Sequence, residues 1–293
     1  MKILILGASG LVGGNCLKHF RTDPQNEVVG THLNFETPDT VKFNTLDLDD
    51  AENFDVESFN PDVIIHCGAL TWVDYCEQHP AESEEKTVQS TRNVAKLAKA
   101  LNAKLVYISS DYVFDGAAGP YVETDAVNPK SVYGKHKLEA EKIIEKAGSN
   151  HLILRITNVY GNEIRNKNFI ARLIEDIKNG AQKTLTLPYD QYATPVNAYD
   201  VARASALLST HQKSGVYHIA STDFLNRVQL AQRVLNHFNY EGIKIEPAST
   251  AEINPPAERP LRGGMISHRL LTEFPDFQFS NVNDYLSSLG EIK

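Results

Sequence analysis

An apolar run that meets a glycine turn within seven residues constrains this chain more than any other stretch. Ile3-Leu4-Ile5-Leu6 closes on Gly7-Ala8-Ser9-Gly10-Leu11-Val12-Gly13-Gly14, and Cys16, Leu17 and Phe20 then recur at helical spacing. A buried strand, a tight turn and a helix N-terminus are the expected result. Gly7 suits the turn, Gly10 lets backbone approach a phosphate, Gly13 permits close helix packing, and the helix dipole faces the anion. Ser9, Gly10, Leu11 and Val12 are therefore candidate contacts for a dinucleotide pyrophosphate. The spacing is Gly-x-x-Gly-x-x-Gly rather than Gly-x-Gly-x-x-Gly, and three glycines alone also suit a plain turn. Their place directly after an N-terminal strand favours the cofactor.

The rest of the chain repeats the strand and helix rhythm. Glu27 to Thr31 reads as a second strand, whose end ordinarily meets the adenosine ribose. An acid there favours NAD and an arginine NADP; Thr31 and His32 supply neither, so the choice stays open, and His32 also fits a surface histidine. Val41 to Phe43 and Leu46 to Leu48 are expected to form a third strand, with Asp47 and Leu48 meeting adenine. Val63 to His66 reads as a fourth strand. Cys67, Gly68 and Ala69 are small enough to leave room for the middle of a cofactor, and His66 fits the core. Thr71, Asp74 and Glu77 follow in a loop, where caps and surface charges explain the carboxylates. Pro80 opens a helical pattern that runs to Leu101, and strands are expected at Lys104–Ile108 and His151–Ile156.

Strands alternating with helices predict an α/β fold: a Rossmann-type doubly wound parallel sheet, followed by a smaller C-terminal α/β substrate lobe. The expected division is 1–160 for the nucleotide-binding domain and 161–293 for the lobe, with about 190–210 packing back on the sheet. Within the lobe, helices are expected from Phe169 to Ile177, Ala198 to Leu208 and Val228 to Phe238. Strands are expected near Leu185–Leu187 and at Gly215–Ala220, and Pro255 to Arg262 reads as irregular.

The chemistry is expected between Ser109 and Lys137. Ser110 ends a strand, at the rim where open α/β sheets bind ligands. Ser131 is a candidate cap for a helix carrying Tyr133 and Lys137 on one face, four residues apart. At roughly 5 Å and an effective dielectric of about 20, the ammonium favours the phenolate by ~3 kcal/mol, about two pKa units. That would bring Tyr133 towards neutrality, as a proton donor to a carbonyl that accepts hydride, with Ser110 holding the same oxygen. A Tyr–Lys pair at this spacing is also common on solvated helix faces; the strand-end serines and the glycine turn favour the catalytic reading.

The chain has 293 residues, 42% of them apolar, enough for a large core, and a net charge of -8 that disfavours nucleic acid. Cys16, Cys67 and Cys76 lack metal-ligand spacing and read as reduced structural thiols. The first apolar run is too short for a signal peptide and no later one approaches membrane-spanning length, so a soluble cytoplasmic protein without a membrane partner is expected.

Taken with the glycine turn, Ala69-Leu70-Thr71-Trp72-Val73-Asp74, Ser110-Asp111-Tyr112-Val113-Phe114-Asp115-Gly116, Tyr133-Gly134-Lys135-His136-Lys137-Leu138-Glu139, Arg155 to Gly161, Asp190 to Pro195 and Arg259-Pro260 carry a likeness. The chain resembles the extended short-chain dehydrogenase/reductase superfamily, and within it the dTDP-4-dehydrorhamnose reductase family. The resemblance implies reduction of a keto group on a nucleoside-diphosphate-linked deoxysugar by NADPH or NADH. By it, Ser110 orients the carbonyl, Tyr133 donates the proton, and Lys137 tunes Tyr133 and holds the nicotinamide ribose. It also implies that Thr71, Asp111, Asn158, Asp190, Gln191, Arg259 and Arg262 contact the nucleotide-sugar substrate, with the arginines as candidates for the diphosphate. Magnesium is allowed by the resemblance without an assigned ligand set, and a homodimer is allowed as well.

Three positions depart from the family's pattern: Asn158 stands where a tryptophan is usual, Ile266 where an aspartate is, and Thr87 where the superfamily has an asparagine. Asn158-Val159-Tyr160-Gly161 also resembles the epimerase segment. The alternatives are thus an epimerase or dehydratase that keeps its nicotinamide bound, and a catalytically silent nucleotide-binding regulatory subunit.

Overall fold

The structure is a computed structural model that describes residues 1–148 and 150–290. Its centre is a seven-stranded, wholly parallel sheet in the order β3-β2-β1-β4-β5-β6-β9. The strands are β1 (Lys2–Leu6), β2 (Glu27–His32), β3 (Thr40–Lys42), β4 (Val63–His66), β5 (Lys104–Ser110), β6 (His151–Ile156) and β9 (Gly215–Ile219). Strands buried on both faces read as unbroken apolar runs, and alternate residues do enter opposite cores. Ile3 and Ile5 join Val106, Ile108 and Leu154 on one face, while Leu4 and Leu6 join Ile64, Tyr107 and Ile153 on the other.

On the first face lie α1 (Leu11–Phe20) and α8 (Ala198–Thr210), packed against each other. On the second lie α5 (Ser90–Ala100) and α6 (Val132–Ala147), likewise in contact. The short helices α2 (Val56–Phe59), α3 (Val73–Gln78) and α4 (Pro80–Ser83) belong to the same half, and a π-helical turn at Glu84–Gln89 joins α4 to α5. The helix expected from Pro80 to Leu101 is thus a chain of three helical segments.

The lobe has its own core of Ile170, Leu173, Ile177, Leu230, Val234, Tyr285 and Leu286. It comprises α7 (Phe169–Lys178), β7 (Lys183–Pro188), β8 (Tyr192–Ala193), β10 (Leu225–Asn226), α9 (Arg227–His237), β11 (Ile243–Ala248), α10 (Thr250–Ile253) and α12 (Val282–Ser288), whereas α11 (His268–Glu273) packs on β9 and joins the core of the sheet through Leu270. Strand β11 pairs in parallel with β7 and was not expected from the sequence, because Glu246 and Pro247 interrupt its apolar pattern.

One expected strand is corrected. Leu46 to Leu48 is a turn, not part of β3. The Asn53 amide donates to the carbonyls of Asp47 and Leu48, and the Asp47 carboxylate accepts from the Asp49 amide, so side chains satisfy backbone that a ladder would otherwise need. Among the described residues no helix is long and apolar enough to cross a membrane.

Candidate active site

The strand order reverses between β1 and β4, and in open α/β sheets the crevice outside the carboxyl ends at that point takes the ligand. Here the loops after the two strands touch. Gly7 has φ +80°, and a Cβ on it would lie 3.2 Å from the Gly68 nitrogen. A Cβ on Gly13 would come within 2.4 Å of the Gly7 carbonyl oxygen, so the first turn of α1 is pressed against the glycine loop. Gly10 is the N-cap of α1 and offers no side chain; Leu11 and Val12 follow as the first helical residues, whose amides belong to the helix start. Cys67, Gly68 and Ala69 border this crevice beyond β4, and Ser9 lines a cavity beside it.

Thr31 and His32 close β2 and are buried. His32 is therefore not the surface histidine allowed by the sequence: its Nδ1 lies 2.8 Å from the Thr40 hydroxyl, which β3 brings alongside. Asp47 and Leu48 are exposed in the turn beyond β3, and Thr71 is exposed just before α3. His66 sits in the core with its Nε2 3.4 Å from the Thr91 hydroxyl, and burial pushes its pKa down to about 3, so it is neutral at pH 7.

Ser110, Tyr133 and Lys137 come together at the end of β5. The Ser131 hydroxyl accepts from the Gly134 amide at 3.2 Å and fixes the start of α6. Gly134 is required there, since a Cβ would stand 2.2 Å from the Tyr112 carbonyl oxygen. That close approach brings Tyr133 beside the turn after β5, edge-on to Tyr112 with ring centroids 5.4 Å apart, and near enough to Ser110 for its hydroxyl to influence the phenol. Lys137, one turn on, donates to the Ile108 carbonyl at 2.6 Å and sits 4.2 Å above the Tyr107 ring. Glu141 completes the stripe. It accepts from Ser109 and from two nitrogens of Arg155, the latter at 3.0 and 2.7 Å, all buried.

The electrostatics differ from the sequence estimate. Burial raises the Tyr133 phenol above its ordinary value, and the Ser110 hydroxyl is the leading influence that lowers it. The two-unit drop expected from Lys137 does not occur. The ammonium is engaged with Ile108 and Tyr107, and desolvation of a buried phenolate outweighs what remains. Lys137 itself is pushed down to about 7, by burial first, with Glu141 opposing. At this corner the phenol keeps its proton at neutral pH, and the lysine is the group that titrates.

The residues implied as substrate contacts are divided. Asp111 is buried, accepts from Ser110 at 3.2 Å and from Thr157 at 2.6 Å, and is raised by burial. Asn158 has φ +39° and accepts from Arg227 at 2.8 Å. Asp190 is committed to the amide and hydroxyl of Thr250, and Gln191 donates to the same hydroxyl, so both secure α10. Arg259 pairs with Asp74 at 2.7 Å, and Asp74 also accepts the Ala257 amide. Asp74 therefore joins the lobe to α3 and is more than the cap or surface charge read from the sequence. Arg262 is exposed; its backbone bonds to Gly116 and Gly119.

Arg227 was not anticipated. It is the first residue of α9, close enough to Arg172, Arg259, Tyr112 and Asp111 to feel their charges, and burial lowers its pKa. A cation at a helix N-terminus opposes the dipole. That mismatch was the available signal, visible once the Asn226 cap is recognised. Among the described residues no group of three His, Cys, Asp or Glu side chains gathers at metal-binding distances, and the three cysteines are free thiols.

Comparison with known proteins gives the architecture a lineage. The chain is 31% identical over 276 residues to methionine adenosyltransferase 2 subunit beta from Bos taurus, covering 92% of this chain and 82% of that one. It is 30% identical over 225 residues to a dTDP-4-dehydrorhamnose reductase from Sinorhizobium fredii, covering 73% and 75%. The crystal structure of a Bacillus anthracis dTDP-4-dehydrorhamnose reductase in complex with NADP shares the fold, with a TM-score of 0.85 over 98% of this chain and 97% of that one at 24% identity. The model of the RmlD substrate binding domain matches residues 1–287. A match that spans sheet and lobe alike, rather than the glycine turn alone, makes this chain a member of the RmlD substrate binding domain family.

Proposed function

We propose that this chain reduces the keto group of a nucleoside-diphosphate-linked 4-keto deoxysugar with NADPH or NADH, as its reductase relatives are named for doing. The observation that carries the reading is the burial of Tyr133 and Lys137 on one face of α6 against the end of β5, where Ser110 lies close enough to influence the Tyr133 phenol. Two donors on one carbonyl oxygen are what hydride addition needs, because the oxygen gains charge as the C–H bond forms. The residues fit a nicotinamide cofactor: a Cβ on Gly13 would fill the packed turn, and the small residues after β4 face the same crevice. The cofactor would supply the hydride. The chain's own part is to orient the carbonyl through Ser110, to deliver the Tyr133 proton to its oxygen, and to hold the nicotinamide ribose through Lys137.

For the diphosphate, Arg227 is the stronger candidate, since Arg259 is already paired with Asp74 and Arg262 faces solvent. Purified protein, a dTDP-4-keto-6-deoxysugar and NADPH or NADH should show turnover. Tyr133→Phe should cut kcat by about 10²- to 10⁴-fold, the usual range for a lost general acid. A mutant that keeps the wild-type rate removes Tyr133 from the mechanism.

A second reading is favoured by the relative named as a subunit of methionine adenosyltransferase, which matches nearly the whole chain. On that reading the protein binds a catalytic partner and turns over no sugar nucleotide. Stoichiometric co-purification of such a partner, with no NAD(P)H consumption across a sugar-nucleotide panel, would establish it over the first.

A further inference from the structure

The segment that leaves β6 does not run straight to the lobe. It crosses the glycine turn: the Asn15 amide of α1 donates to the Asn162 carbonyl at 2.9 Å. Asn162, Glu163 and Ile164 line a cavity of about 530 Å³ together with Ser9, Gly10 and Lys18. Beyond it, Arg165 reaches the loop after β2, where its guanidinium lies 4.8 Å from the centre of the Phe35 ring. A cation from the far side of the cleft is thereby held three residues past the end of β2, the strand end that meets the adenosine ribose in this fold.

The surroundings leave that charge unused. Among the described residues Arg165 forms no ion pair. Its acidic neighbour Glu163 is spent on the amides of Lys167 and Asn168 and on the Asn168 side chain. The Arg165 side chain forms no hydrogen bond among the described residues, so its N–H groups, whose fork matches phosphate oxygens, are not committed while the guanidinium lies over Phe35. From Thr31 to Phe35 there is no carboxylate to accept ribose hydroxyls, and His32 is engaged by Thr40. Glu36, the first acid after the strand, is exposed.

We propose that Arg165, seated on Phe35 by the strap after β6, is the group that recognises the 2′-phosphate of NADP and sets the cofactor preference of this chain. The cation that an NADP site ordinarily carries at the end of β2, absent from Thr31 and His32, is supplied instead from the β6 side. The inference rests on the nicotinamide-cofactor reading of the same cleft, but its test does not need a sugar substrate.

Calorimetric titration of the full chain with 2′,5′-ADP and with 5′-AMP isolates the phosphate. Wild-type protein should bind 2′,5′-ADP more tightly. Arg165→Ala should weaken 2′,5′-ADP by about tenfold or more, the scale of a lost charge-assisted hydrogen bond, and leave 5′-AMP within about twofold. Arg165→Lys should fall between, because an ammonium keeps the charge without the fork. Equal affinity of the wild type for both ligands, or an unchanged ratio in Arg165→Ala, would overturn the assignment. A preserved 2′,5′-ADP preference in a protein that reduces no sugar nucleotide would support it while rejecting the reductase reading.

Discussion

At the scale of single residues, the corner formed by Ser110, Tyr133 and Lys137 is governed by burial. Tyr133 is pushed up and Lys137 down from its ordinary 10.5 to about 7, each because the charged form is desolvated. The Tyr133 phenol therefore holds its proton across the neutral range while Lys137 loses one. If the ammonium is the form that holds the nicotinamide ribose, kcat/KM should fall as pH rises through about 7, and a pH–rate profile reads this directly. Stability follows the opposite sign. Between about 7 and 10.5 the unfolded chain binds more protons at Lys137 than the folded one, so stability contributed at this side chain rises with pH across that window. Lys137→Met should remove that slope, seen as a gain in urea midpoint at pH 6 that shrinks by pH 9. The sequence showed which residues share the face of α6 but not this environment, because burial comes from strands β4 and β5 far away in the chain.

At the scale of elements, the site depends on backbones that approach more closely than any side chain allows. Helix α6 presses Gly134 onto the Tyr112 carbonyl, and the loop after β5 presses Gly116 onto Pro260, where a Cβ would meet the proline Cα at 2.3 Å. Gly134→Ala should cost about 1–3 kcal/mol by overpacking and move Tyr133 away from Ser110. A lowered urea midpoint and a lowered kcat should therefore appear together, and a mutant with wild-type values in both would remove the proposed constraint. The same loop is tied by Asp115, whose carboxyl is held down to about 2 by the Ala117 amide, then by Tyr121 and Asn128. This depressed carboxylate stabilises the loop above its ordinary 3.8, and the contribution is lost as pH falls towards about 2. The Ser-Asp-Tyr-Val-Phe-Asp-Gly string was legible as a motif. Why its last glycine is needed was not, because Pro260 arrives from the other end of the chain.

At the scale of the whole molecule, Arg259 and Asp74 connect the segment before α11 to α3 through an ion pair at 2.7 Å. Both are partly buried, so the pair should count for more than a surface bridge. A double-mutant cycle with Arg259→Ala and Asp74→Ala should give a coupling of about 0.5–3 kcal/mol, and each single mutant should raise KM for the sugar nucleotide more than it lowers kcat. Strict additivity would mean that the two residues act separately. The sequence by itself determined the parallel sheet, the glycine turn and the Tyr133–Lys137 face, since strand burial and helix periodicity are local patterns that need no partner to be read. Only the tertiary structure decided which charges remain available. It spent Asp190 and Gln191 on α10, paired Arg259 with Asp74, buried His32, and brought Arg227 to Asn158 and Arg165 to Phe35 from segments with no motif. Hydrogen-bond partners and desolvation are set by residues distant in the chain, and they decide whether a polar side chain meets a ligand or the protein itself.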